Sequence, residues 1–224
     1  MTSLATVESE RVIAAGISSL LATSALSFEH RRGVADACDE IRRVIVIGGS
    51  AGALAPLRTL VARLPTNLPA TVLVAIHIPA GFPSILPELL CSVGPLPAAH
   101  PRDQEHLRPG RILVAPPDYH LLVERGVARL SRGPRENRHR PAIDTLFRSA
   151  AHAYGARVIG VILSGDLDDG SAGLTAIKMR GGIAIAQDPE EAASPEMPSR
   201  AIQSADIDHI LPAKEIGGLL GRLP

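Results

Sequence analysis

The chain has 224 residues, 46% hydrophobic and 21% charged, a composition that fits one packed domain with a short extra segment and excludes a disordered chain. Its 23 basic and 23 acidic residues cancel, and with no Trp, three Phe and two Tyr it lacks both the basic face and the stacking platform of a nucleic-acid binder. Cys38 and Cys91 make neither a metal-ligand spacing nor a disulfide framework, which fits a reducing, cytoplasmic setting and a chain without a metal.

Residues Val12 to Phe28 are small and apolar, but they follow Glu8, Glu10 and Arg11 rather than the basic stretch that opens a secretory signal. They read as part of a leader or linker over residues 1–40, poorly ordered or docking a partner, ahead of a domain over 41–224. No run reaches the roughly 18 consecutive apolar residues of a membrane helix. The domain opens on a short β-branched run, Arg43 to Ile47, that reads as a buried strand ended by Gly48. Leu54, Leu57, Leu60, Val61 and Leu64 have helical spacing, and Pro65 and Pro69 end that helix. Thr71 to Ile78 is a second strand, followed by a helix from Pro83 to Cys91. From Leu96 to Arg132 short extended runs, including Arg111–Val114 and His120–Val123, are cut by Pro, Gly and Asp; they read as a small antiparallel excursion. Strands and helices then alternate: helix Pro141–Tyr154, strand Arg157–Leu163, helix Ser171–Met179, strand Ile183–Gln187, helix Met197–Gln203, strand Asp208–Leu211 and helix Ala213–Leu220. Alternation of this kind implies an α/β fold with a mostly parallel sheet and helices on both faces, a Rossmann-like three-layer sandwich.

Sites in such sheets form beyond the carboxyl ends of the strands, so the residues there carry the chemistry. Gly48-x-Ser50-x-Gly52 follows the first strand and matches a nucleophile elbow, with free N–H groups of the next helix available to a developing oxyanion. A glycine-rich turn into a helix cradles phosphate equally well, so this motif alone leaves a hydrolase, a nucleotide site and a plain turn open. The second strand ends in His77, a polar group in an apolar run, where a dinucleotide site would carry an acid. A buried imidazole needs partners, and a serine nucleophile needs a general base. After the later strand, Asp168 and Asp169 precede a helix; one can cap it while the other orients the imidazole. Arg135-Glu136-Asn137-Arg138-His139-Arg140 reads as a solvated loop or as a clamp at the mouth of the site, and Met197-Pro198-Ser199-Arg200 starts a helix that can line the same edge.

Six blocks in this order, Gly48–Gly52, His77–Phe82, Asn137–Asp144, Asp168–Gly173, Ile185–Asp188 and Met197–Ile202, resemble the catalytic domain of the chemotaxis protein-glutamate methylesterases, the CheB type, over about residues 42 to 221. The resemblance implies a serine hydrolase, without a cofactor, that demethylates glutamate γ-methyl esters on helices of chemoreceptors or receptor-like proteins, with glutamine deamidation as a second activity. It implies Ser50 as nucleophile, His77 as general base and acid, and Asp169 as the orienting acid. Ala51 and Asp166 would give oxyanion N–H groups, and Asn137, Arg138, Arg140 and Met197 would shape the substrate groove. Three departures stand out. Residues 1–40 are too few for the receiver domain that usually precedes the esterase, so control by an attached receiver is expected to be absent. Ala51 stands where the family often has Thr, and Gly165-Asp166-Leu167 replaces Gly-Met-Gly. A carboxylate near an oxyanion opposes turnover, so the alternative to an esterase is a weak or inactive domain of this type that binds and regulates.

Overall fold

The computed structural model describes residues 43–223 apart from 79, 80 and 82, so the expected leader over 1–40 lies outside the described residues. Seven strands form one parallel sheet. They are β1 (Arg43–Gly49), β2 (Ala70–Ile76), β3 (Ala98–Ala99), β5 (Arg111–Val114), β8 (Val158–Ile162), β9 (Ile183–Gln187) and β10 (His209–Leu211), in the order β10-β9-β8-β1-β2-β5-β3. Three further strands, β4 (Glu105–His106), β6 (His120–Glu124) and β7 (Val127–Ser131), make a separate antiparallel sheet.

The expected excursion is therefore smaller than its sequence boundaries. Arg111–Val114 does not belong to it: this run pairs in parallel with β2, Thr71 against Arg111 through Val74 against Val114. Its three consecutive apolar residues are too short a run to tell the two kinds of pairing apart, and only the partner strand decides.

Side-chain alternation on β1 explains the layering. Val44 and Val46 face one core with α3 (Ile143–Tyr154), α4 (Ser171–Met179), α5 (Glu196–Ser204) and the small sheet. Ile45 and Ile47 face the other, with α1 (Leu54–Val61), α2 (Leu86–Val93) and α6 (Ala213–Leu220). Both faces are covered, as an all-parallel sheet requires. Burial outweighs local helix signals here. Helix α1 has no side-chain N-cap, an omission worth about 1 kcal/mol. It buries Leu57, Leu60 and Val61, each contributing about 1.5–3 kcal/mol.

The central strand β1 is flanked by β2 on one side and β8 on the other, so the chain leaves it in opposite directions. This topological switch opens a crevice at the carboxyl ends of β1, β2 and β8. Ser50 directly follows β1, His77 directly follows β2, and the Ser164–Gly170 loop follows β8.

Candidate active site

The sheet brings Ser50, His77 and Asp169 together. His77 Nδ1 lies 3.0 Å from Ser50 Oγ, and His77 Nε2 lies 2.8 Å from Asp169 Oδ2. A carboxylate can only accept, so Nε2 carries the proton and Nδ1 is left to accept from the serine hydroxyl. The imidazole is 7% exposed and Asp169 is 2% exposed.

Backbone ties fix these positions. Ser50 N–H donates to Ser164 O (2.9 Å), and His77 N–H donates to Gly49 O (3.2 Å). Ser164 also binds through its side chain, donating to Ala51 O at 2.8 Å and accepting from Ser194 N–H at 2.9 Å. Gly48 and Gly49 serve close packing more than turning. A Cβ on Gly48 would fall 2.2 Å from Ile143 Cγ2, and one on Gly49 2.6 Å from Ala53 Cβ. The left-handed residue of the elbow is Gly52, at φ 74°.

Asp169 accepts four hydrogen bonds. Oδ2 takes His77 and Ile143 N–H (2.8 Å); Oδ1 takes Asp144 N–H (3.0 Å) and Asn137 Nδ2 (2.7 Å). It does not cap the helix that follows it, and no side chain local to that helix does. It holds the first N–H groups of α3 instead. Asp144, in the first turn of α3, returns the arrangement: its Oδ1 accepts from Gly170 N–H (3.0 Å) and Gly173 N–H (2.7 Å) at the start of α4. The two helices thus exchange capping carboxylates, each drawn to the positive end of the other's dipole. The expected division between Asp168 as cap and Asp169 as site acid is replaced by this exchange, and Asp168 is exposed.

The electrostatics follow. Burial pushes the Asp169 pKa up, but the hydrogen bonds from His77, Ile143, Asp144 and Asn137 outweigh it and hold the group below its ordinary range. Asp144 moves the other way: burial raises it, the neighbouring Asp169 charge adds to this, and the Gly173 and Asn137 hydrogen bonds only partly offset it.

The remaining expected residues divide. Asn137, Arg138, Asp166 and Asp169 line a cleft of roughly 260 Å³ with His77. Arg135, Arg138 and Arg140 line a second opening that contains Ser50. Arg140 is engaged, donating to Asp118 Oδ1 and to the carbonyls of Arg132 and Gly133. Asp166 is exposed at the cleft edge, and among the described residues neither its N–H nor that of Ala51 has a protein acceptor. Met197 is fully buried and cannot line a groove. It sits beneath Gly165, where an added Cβ would come within 2.7 Å of its Sδ and 3.0 Å of Ser50 Cβ.

Three residues with roles here were not singled out from the sequence. They are Asp144, Ser164 and His139, whose ring stacks on His77 with centroids 3.6 Å apart and planes 5° from parallel. Burial lowers the His139 pKa and the facing His77 lowers it further, which favours the neutral form of the His139 ring.

A serine hydroxyl, an imidazole and a buried carboxylate in series at the switch point of a parallel sheet make up the arrangement of an α/β serine hydrolase. A family model described as CheB methylesterase matches residues 45–220, and the chain belongs to that family. A relative from Leptospira interrogans is 39% identical over 183 residues, covering 80% of this chain and 93% of its own length. A protein-glutamate methylesterase/protein-glutamine glutaminase of Anaeromyxobacter dehalogenans is 39% identical over 193 residues; the match covers 86% of this chain and 57% of that protein. The chain therefore spans nearly all of one relative and little more than half of the other. The crystal structure of the Thermotoga maritima CheB methylesterase catalytic domain matches with a TM-score of 0.78 at 34% identity, covering 81% of this chain and 98% of that one.

Proposed function

We propose that the chain removes methyl groups from glutamate γ-methyl esters on the helices of chemoreceptors or receptor-like proteins, with Ser50, His77 and Asp169 as its catalytic residues. The observation that carries this reading is the Ser50–His77–Asp169 relay, with contacts of 3.0 and 2.8 Å, opening on a cleft. Ser50 Oγ attacks the ester carbonyl as its proton passes to His77 Nδ1. The resulting imidazolium is held by the Asp169 charge. The oxyanion is received by the Ala51 and Asp166 N–H groups. Collapse expels methoxide, which takes the proton from His77 and leaves as methanol. Water, deprotonated by His77, then frees the glutamate carboxylate from Ser50. The same steps on a glutamine side chain would expel ammonia, the glutaminase activity in the names of its relatives.

Asn137, Arg138, Arg140 and Met197 were the expected groove. Arg138, joined by Arg135, is the better candidate for substrate contact, since both are exposed beside Ser50. They favour acidic residues flanking the ester. Arg140 and Met197 act from behind, by holding the loop and supporting Gly165. A cytoplasmic location suits this substrate; among the described residues no helix is long and apolar enough to cross a membrane.

A second reading, a binding domain with little turnover, is favoured by one observation: the Asp166 carboxylate at the cleft edge. Methanol release from receptor membranes methylated in vitro distinguishes the two. Release by wild type and not by Ser50→Ala supports the esterase. Binding by both proteins with release by neither supports the second reading.

A further inference from the structure

We propose that Asn137 is a positioning residue for Asp169, and that the turn Glu136–His139 is a device that grips both members of the His77–Asp169 pair. This inference rests on the catalytic reading of Ser50, His77 and Asp169.

The turn is closed by two reciprocal main-chain bonds, His139 N–H to Glu136 O (2.9 Å) and Glu136 N–H to His139 O (3.2 Å). Its two central residues, Asn137 and Arg138, have φ of 50° and 67°. Positive φ at both positions is the type I′ geometry, for which asparagine is well suited and arginine is not. Outside restraints hold the strained conformation: Glu136 accepts from Thr145 Oγ1 (3.1 Å) and Arg148 Nη2 (2.7 Å) on α3.

The turn delivers two groups. The Asn137 amide reaches inward and donates to Asp169 Oδ1 (2.7 Å) and Asp144 Oδ2 (2.9 Å). Both neighbours are carboxylates, so the nitrogen must face them; the reversed amide would set oxygen against oxygen. Each amide hydrogen goes to one carboxylate, which bridges two buried acids that repel each other. Besides His77, Asn137 is the only side chain among the described residues that donates to Asp169; the other two donors are main-chain groups of α3. Two residues on, the His139 ring lies flat on His77. One strained turn therefore restrains the carboxylate from its Oδ1 side and the imidazole from its face. A loop meant only to carry surface charge would need neither.

Two substitutions separate the amide from the turn. Asn137→Gly accepts positive φ and removes the donor. Asn137→Asp also tolerates positive φ but replaces the donor with a charged acceptor. The readout is the rate at which a fluorophosphonate probe phosphonylates Ser50, with loss of fluoride, from about pH 5 to 9, alongside thermal melting. Both variants should react about 10- to 100-fold more slowly than wild type. Asn137→Asp should be the slower at high pH, with the gap closing as its new carboxyl is protonated. A turn-forming role alone predicts that both variants keep the wild-type rate, and that result would overturn the inference while leaving the triad standing. Should the glycine variant fail to fold, Asn137→Asp reacting at the wild-type rate still overturns it. A wild-type protein that does not react at all overturns the inference and the triad together.

Discussion

Replacing Asp169 by asparagine tests how the site is held as well as what it does. The carboxylate receives two donors on each oxygen, and an amide matches only one of those pairs. If the new NH2 faces Asn137 and Asp144, two buried donors lose their acceptor. If it faces His77 and Ile143, the imidazole must give up the proton on Nε2, and Nδ1 then presents N–H to Ser50 instead of a lone pair. Each orphaned donor costs about 1–3 kcal/mol, so the loss of stability at neutral pH is about 2–6 kcal/mol in the first orientation, with two orphans, and about 1–3 kcal/mol in the second, where only Ile143 N–H is left, reduced by relief of the repulsion with Asp144. The same change in a serine protease triad lowers kcat about 10,000-fold through the wrong tautomer. Here kcat should fall between about 100- and 10,000-fold, depending on which way the amide settles. The stability difference should also depend on pH. Asp169 titrates below its ordinary range when folded, so its ionisation stabilises the fold above the unfolded aspartate pKa of about 3.9. That contribution is lost as pH falls through the folded value, so the gap between wild type and variant should narrow in acid. Urea denaturation at neutral and acid pH, with single-turnover hydrolysis, measures both quantities. A folded Asp169→Asn protein within tenfold of wild-type kcat would refute the reasoning.

Asp166→Asn removes an exposed charge beside the proposed oxyanion position; kcat should rise by less than about tenfold, and the advantage should shrink in high salt. A fall in kcat would show that the carboxylate assists. Leu167 sits at φ 65° with its N–H on Glu196 Oε2, so Leu167→Gly should stabilise the fold by up to about 1 kcal/mol, seen as a higher Tm. A lower Tm would mean that the half-exposed leucine side chain outweighs the strain. Gly48→Ala would drive a methyl into Ile143 at the head of α3, costing about 1–3 kcal/mol in chemical denaturation and slowing hydrolysis, because Ile143 N–H holds Asp169. Unchanged activity would separate the packing of α3 from the site.

The sheet was legible because its cause is local. Apolar β-branched runs such as Arg43–Ile47 and Thr71–Ile78 can only be buried strands in a chain of alternating helices, and the expected and observed elements differ mainly by a residue or two at their ends. Ser50 and His77 were legible for the same reason, since each lies directly after a strand. Partners were not. Arg111–Val114 has the pattern of either sheet and joins the parallel one because β2 offers its edge. The acids before α4 read as a cap of their own helix, yet Asp169 serves α3 and Asp144 serves α4, across 26 residues of chain in each direction. Asn137 was expected in the substrate groove and not on Asp169, and His139 was hidden inside a run of charge. The one local hint was asparagine's tolerance of positive φ, which does not say where its amide points.

The central claim is that Ser50 takes the acyl group of a methyl ester and passes it to water. Hydrolysis of methylated receptor membranes in 18O water tests it most directly, with wild type and Ser50→Ala run in parallel. Attack at the carbonyl predicts unlabelled methanol, one 18O in each new glutamate carboxylate, and neither product with Ser50→Ala. Methanol carrying 18O, or equal release by the two proteins, would contradict it.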